Sequence, residues 1–243
     1  MALPESASSE HDPRPSLRER KKMATRRALQ RVALDLVAER GYSRVTVEDI
    51  AEAADVSPRT FFNYFPSKEA ALLGADPERT ESIRRRLVDE PAHKSPIEAL
   101  RAVLVGEAQR ISAELAELGG DRADWFCRMK AAQVDPHLVA ARAAHLTRFE
   151  SAIASGIAER LGTRVGEDPY PVLLASTAVG TMRAVISIWG GAGDTVALDA
   201  LTDAAFQALA DGLPYDRGWR CLGAVTGQTK EKDLSSELDQ QLA

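Results

Sequence analysis

The stretch Thr46–Leu72, TVEDIAEAADVSPRTFFNYFPSKEAAL, begins as an amphipathic helix, stops, and restarts within a few residues. Val47, Ile50, Ala51 and Ala54 form one apolar stripe on a helix of about nine residues. Thr46 is placed to cap that helix, with Asp49 at its third position. Asp55-Val56 then turns the chain. Ser57 caps the next helix, Pro58 suits its first turn, and Phe61 and Phe65 face inward at i and i+4. Ser67 caps a fourth helix that starts at Lys68. Short helices around a tight turn predict a helix-turn-helix over residues 46–65.

Helices this short are marginal alone, so a third helix must wall them. The preceding segment supplies it. Leu29, Val32, Ala33, Leu36 and Val37 fall at i, i+3, i+4, i+7 and i+8, and Gly41 ends the helix. The expected result is a compact three-helix unit from about Arg18 to Phe65. Arg18, Arg20, Lys21, Lys22, Arg26, Arg27 and Arg31 crowd the first helix's N-terminal half. Cations there oppose the helix dipole, which favours anions at that end. From Arg14 to Arg44, ten Lys/Arg stand against three Asp/Glu, a local charge of about +7 in a chain of net charge −5. That segregation points to an anionic partner, whereas the mean charge mainly concerns solubility.

The second helix of such a unit enters a major groove about 12 Å wide, N-terminus first. Ser57, Pro58, Arg59, Thr60, Asn63 and Tyr64 are expected to point outward. Arg59 reaches guanine O6 and N7 or a phosphate, Thr60 a thymine methyl or a phosphate, and Tyr64 a phosphate oxygen through its hydroxyl. Lys68 at the start of its helix, and Thr46 on the other side, are placed to clamp phosphates. The basic head of the first helix, Arg26 included, suits a phosphate backbone or minor groove. Phe61 and Phe65 read as core. A steep loss of affinity with salt separates this reading from its rival, a helical protein-interaction module.

Preceded by AERGYSRV, the quoted stretch resembles the TetR family of bacterial one-component transcriptional regulators over about Ala24 to Leu73. The shared order is Gly closing helix one, Thr opening helix two, Ile-Ala inside it, Val-Ser in the turn, aromatics ending in Phe, then Ser-Lys-Glu. The resemblance implies an all-α homodimer, and the two isolated cysteines, Cys127 and Cys221, fit a reduced cytoplasm. It also implies two recognition helices on a palindromic double-stranded operator, most often in repression, and a C-terminal ligand domain. It implies that Thr46, Tyr64 and Lys68 clamp the backbone and that Ser57 to Thr60 face bases. Two positions depart from the pattern. Asp55 stands where the family often has Gly, and Asp tolerates left-handed geometry. Phe62 stands where it often has Tyr. Phe cannot bond a phosphate, so that contact is lost, or is replaced by Arg59 or by apolar contact.

The organisation expected is a disordered tail over 1–16, a DNA-binding domain over 17–76, a helical ligand-binding and dimerisation domain over 77–213, and a polar tail over 214–243. About nine helices are read, with no strand alternation. Ser95-Pro96-Ile97-Glu98 is a capping box, and Gly119-Gly120 closes its helix. Asp121 caps the next helix, Asp135-Pro136 starts one that ends at Gly162, and Asp168-Pro169 starts one that runs to Gly190-Gly191. Asp194 or Thr195 caps the last. Trp125, Phe126, Met129, Phe149, Met182 and Trp189 are either plain core or the lining of an apolar cavity. Arg128 either snorkels to the surface or meets an anionic ligand group. The segments DWFCRMKAAQ and RFESAIASGIAERLG are similar to TetR regulators with an acyl-CoA-like ligand-binding domain, which implies a small hydrophobic effector such as a fatty acyl-CoA. Small residues at Ala175, Ala178, Gly180 and Ala184, together with the last helix, are expected to pair with their copies in a dimer.

Other classes are disfavoured. The chain carries no GxSxG, phosphate loop, HExxH or GxGxxG, so neither an enzyme nor a cofactor is expected. His11, His93, His137 and His145 have no metal-ligand spacing, and Cys127 and Cys221 form no CxxC. The N-terminus lacks the apolar core of a secretory signal. No run approaches 18 unbroken apolar residues, so no membrane span is expected.

Overall fold

The computed structural model describes residues 17–117, 135–191 and 196–213. Among them it is all-α, with nine α-helices, one 3-10 turn and no β-strand. The helices expected to carry Trp125, Phe126, Arg128 and Met129, both tails, and the caps Asp194 and Thr195 lie outside the described residues. The chain divides into two compact units between Gly74 and Ala75.

The first unit holds α1 (Leu17–Arg40), the 3-10 turn Tyr42–Arg44, α2 (Val47–Ala53), α3 (Pro58–Phe62) and α4 (Lys68–Leu72). α1 packs on α2 and α4, and α2 on α3. The buried set holds Leu29, Ala33, Leu36 and Val37 of the predicted stripe of α1, with Leu34 in addition and Val32 only half-buried, joined by Val45, Ile50, Ala51, Phe61, Phe65, Ala71 and Leu72. Each short helix is capped as its sequence dictates. Thr46 and Asp49 form a reciprocal capping box, Ser57 accepts from the Thr60 amide, and Ser67 accepts from the Ala70 amide.

The second unit holds α5 (Pro77–Asp89), α6 (Pro96–Glu117), α7 (Pro136–Leu161), α8 (Tyr170–Gly191) and α9 (Leu198–Ala210). α5 packs on α7, α7 on α8, and α9 on both α6 and α8. One core cluster includes Leu87, Leu104, Ile153, Ile157, Met182 and Phe206, with Phe149 packed against it. A second gathers Val185, Trp189, Leu198, Leu201 and Ala205, and there the Trp189 indole N–H donates to the Val196 carbonyl at 3.0 Å. α9 opens on Ala197 with no side-chain cap; its start rests on the burial of Leu198 and Leu201 instead.

Arginines tie these helices together. Arg160 of α7 donates to the carbonyls of Glu90 (2.5 Å), Pro91 and Lys94 (2.8 Å), placing a cation against the C-terminal end of α5 and the loop that follows it. Glu107 of α6, 5% exposed, is met by Arg79, by Arg110 at 3.0 Å and by Arg86 at 3.5 Å. Burial pushes its carboxyl upward, but the Arg79 and Arg110 guanidiniums outweigh burial and hold it below the ordinary range. His145 is held below its ordinary range by burial and by Arg148 and Arg79.

α8 differs from expectation in two respects. One 18-residue window of it has a mean hydropathy of 1.5 and is 33% buried, apolar enough by length and composition to cross a membrane, a condition that the core helix of a soluble protein also meets. Ser176, Thr177, Thr181 and Arg183 interrupt any unbroken run, which is why counting unbroken residues misses it. Its small residues also divide. Ala175 and Ala178 are buried in their own core, while Ala184 is exposed and a Cβ added at Gly180 would meet nothing within 4 Å.

α5 and α7 cross closely at Gly156. A Cβ added at Gly156 would lie 3.1 Å from the Arg84 carbonyl oxygen and 3.2 Å from the Leu87 Cβ. Gly156→Ala is therefore expected to destabilise the second unit by about 1–3 kcal/mol, because the obstacle is backbone that cannot swing aside. Urea denaturation followed by circular dichroism measures this, and an unchanged midpoint would refute the close crossing.

Candidate nucleic-acid interface

The turn between α2 and α3 closes through the Asp55 amide on the Glu52 carbonyl (3.0 Å) and the Val56 amide on the Ala51 carbonyl (2.9 Å). Asp55 sits at φ 54°, the left-handed conformation expected for the residue replacing Gly. α3 then rotates its side chains by about 100° per residue. Phe61 and Phe65 go beneath it, Thr60 and Tyr64 are half-buried on its flank, and Pro58, Arg59, Phe62 and Asn63 are exposed. Ser57 is exposed, and its Oγ lies 2.9 Å from the Thr60 hydroxyl. The outward face thus keeps Ser57, Pro58, Arg59 and Asn63 of the expected set and adds Phe62.

The expected clamps are internally engaged. Both donors of Thr46 go to Asp49, its amide at 2.8 Å and its hydroxyl at 2.6 Å. These two bonds, ahead of a small opposing burial effect and the Arg40 charge, hold the Asp49 carboxyl below its ordinary range. A phosphate must displace Asp49 to take the Thr46 hydroxyl. The Lys68 ammonium donates to the carbonyls of Tyr42 (3.0 Å) and Val45 (2.9 Å) and sits 3.9 Å from the centre of the Tyr42 ring. Two of its three N–H groups are thereby engaged. The Arg26 guanidinium lies 4.1 Å from the centre of the Phe65 ring and donates to the Tyr64 carbonyl. It is half-buried and braces α1 against the end of α3.

Tyr42 and Glu69 went unread in the sequence, although they sit beside Gly41 and Lys68. The Tyr42 hydroxyl donates to Glu69. Burial pushes the Glu69 carboxyl up, but bonds from Ser67 and Tyr42 bring it below its ordinary range. The aromatic residue directly after the helix-ending glycine was the available signal. Around this braced unit Arg18, Arg20, Lys21, Lys22, Arg31, Arg40, Arg44 and Arg59 are exposed. Of the expected ligand-cavity residues, Phe149 and Met182 join one core cluster and Trp189 the other. Among the described residues no group of three or more His, Cys, Asp or Glu is placed to hold a metal ion.

A rigid helix-turn-helix, with a mixed polar and apolar reading face beside exposed cations, defines a DNA-binding unit. Residues 29–74 match the model described as bacterial regulatory proteins, tetR family, and residues 94–214 match that of the MftR C-terminal domain. TcmR of Streptomyces glaucescens, an HTH-type transcriptional regulator, is 34% identical over 212 residues, covering 86% of this chain and 92% of that protein. MftR of Mycobacterium tuberculosis is 27% identical over 80% of this chain and 93% of its own length. The fold is similar to that of the fatty acid degradation regulator FadR from Bacillus halodurans, with a TM-score of 0.51 at 21% identity over 79% of this chain and 97% of that one. The chain belongs to the TetR family of transcriptional regulators.

The two arginines separate base reading from bracing. Arg59→Ala is expected to weaken specific binding by about 1–3 kcal/mol while changing binding to random DNA little. Arg26→Met is expected to lower the unfolding midpoint and leave the salt slope of DNA binding unchanged. A slope reduced by about one would instead make Arg26 a phosphate contact. Fluorescence anisotropy across a salt series, with thermal melts, checks both.

Proposed function

We propose that the chain is a homodimeric repressor that reads a palindromic operator and is released by a small hydrophobic effector of the fatty acyl-CoA type. In this reading residues 17–76 bind DNA, residues 77–213 sense and pair, and the tails 1–16 and 214–243 lie outside both. The carrying observation is the outer face of α8. Leu173 (63% exposed), Thr177, Gly180, Ala184 and Ile188 (49% exposed) recur there at helical spacing. A stripe that is apolar yet small in the middle lets a helix cross its own copy closely, and a self-complementary patch closes as a two-fold dimer. Such a dimer carries two recognition helices and matches half-sites about 34–36 Å apart, one turn of DNA, or a multiple of that.

The effector reading rests on the resemblance of residues 124–133 and 148–162 to acyl-sensing relatives and on a second unit separate from the DNA-binding one. Release follows if the effector binds better to the conformation that holds the recognition helices off their half-sites; its differential affinity sets the limit of the effect. Repression predicts that a promoter carrying the operator is silenced by the protein and restored by the effector.

Two measurements test this. Leu173→Asp is expected to convert the dimer to monomer in sedimentation velocity and to abolish dependence on half-site spacing; a wild-type monomer at micromolar concentration overturns the pairing. Thermal stabilisation across fatty acids and acyl-CoAs of graded chain length is expected to show an optimum that Arg128→Ala removes. At a hundred times Kd the stabilisation is about 2.7 kcal/mol. A flat series overturns the acyl reading.

A further inference from the structure

Phe62 is 53% exposed and lies inside the reading arc of α3, flanked by Pro58, Arg59 and Asn63. Single exposed apolar residues are common and mean little by themselves. This one is set apart by its position and by how it is held. Its ring stands edge-on to the buried Phe61 ring, with centroids 5.6 Å apart and planes at 89°, so it projects from a fixed base. It has no hydroxyl to offer a phosphate. The major groove offers one apolar group to such a surface, the C5 methyl of thymine.

We propose that Phe62 is a specificity-determining residue that packs on a thymine C5 methyl in each operator half-site. The inference rests on α3 being the helix that enters the groove, and adds to that reading the base it selects. Arg59 and Asn63 on the same arc supply polar contacts to neighbouring base edges, so the face combines one apolar probe with two hydrogen-bonding ones. Replacing thymine by cytosine removes the methyl and presents an amino group to the ring.

The test uses the full chain and an operator selected from random duplexes by the wild-type protein. Each thymine is replaced singly by 2′-deoxyuridine, which removes only the methyl. Wild type is expected to lose about three- to fivefold in affinity at one thymine per half-site, the effect of one buried methyl. Phe62→Ala is expected to bind the thymine operator more weakly and to show no difference between thymine and deoxyuridine at that position. Its loss of affinity for random DNA is expected to be smaller than its loss for the thymine operator, and its circular-dichroism spectrum is expected to stay that of the folded helical protein. The proposal is overturned if no deoxyuridine weakens wild type. It is equally overturned if the penalty persists in Phe62→Ala, which would assign the methyl to another side chain, or if Phe62→Ala weakens operator and random DNA alike, which would place the ring on the sugar-phosphate backbone. Failure to select any operator sequence would count against the operator reading itself, and is distinct from these outcomes.

Discussion

A helix of five residues cannot hold itself together, and α3 has five. Nucleating one turn of helix in water is unfavourable, and nothing in so short a segment repays it. Its conformation is imposed from outside. Ser57 caps its start, Phe61 and Phe65 are buried beneath it, and the Arg26 guanidinium spans the Phe65 ring and the Tyr64 carbonyl just past its end. Lys68 does the equivalent for the loop before α2 by gathering the carbonyls of Tyr42 and Val45. A charge-assisted hydrogen bond of this kind contributes about 1.5–3 kcal/mol when partly buried. The reading face is therefore rigid before DNA arrives, and little ordering entropy opposes its binding.

The cations of the first unit divide into two populations. Arg26 and Lys68 turn inward to aromatic rings and carbonyl oxygens, while Arg18, Arg20, Lys21, Arg44 and Arg59 stay exposed. Placing several cations on the first turns of α1 strains that helix against its own dipole. Phosphates relieve the strain, so the same charges that weaken the isolated helix favour the complex. The second unit handles its arginines differently. Arg79, Arg86 and Arg110 converge on the buried Glu107, and Arg160 satisfies the carbonyls that follow α5. With about +7 between Arg14 and Arg44 in a chain of net charge −5, the remainder is acidic and repels a phosphate backbone. The basic stretch lies in the first unit, so electrostatics favour DNA there.

Local chemistry was legible in the sequence, and long-range chemistry was not. The caps Thr46, Ser57, Ser67, Ser95 and Asp135 engage the neighbours their spacing predicts, and Asp55 adopts the positive φ that its turn requires. Each of these depends on residues two to four apart. The same Asp-Pro signal at Asp76-Pro77 starts α5 and passed unread. Lys68 on Tyr42 and Arg26 on Phe65 bridge elements far apart in the chain, and no periodicity encodes them. The placing of Thr60 and Tyr64 on the flank of α3 has a geometric cause. About 100° per residue leaves an exposed arc holding four side chains, and Phe62 takes the place that polarity would have given to either of them.

α8 brings the remaining question to one element. Apolar residues stand on both the inner and the outer face of α8, the latter carrying Val172, Leu173 and Ile188, and both sets favour apolar company. Its inner face has it, since Leu174, Ala175, Ala178 and Met182 sit in one cluster and Val185 and Trp189 in the other. Its outer face lacks it among the described residues, and the small residues along its middle favour a backbone approaching closely over lipid chains. In the proposed dimer a single rigid helix would then carry the pairing surface on one side and the core of the sensing unit on the other. Close-packed cores respond to inserted volume by shifting whole elements rather than by yielding locally. An effector entering beside Met182 would displace α8, and with it the axis about which the two copies are related.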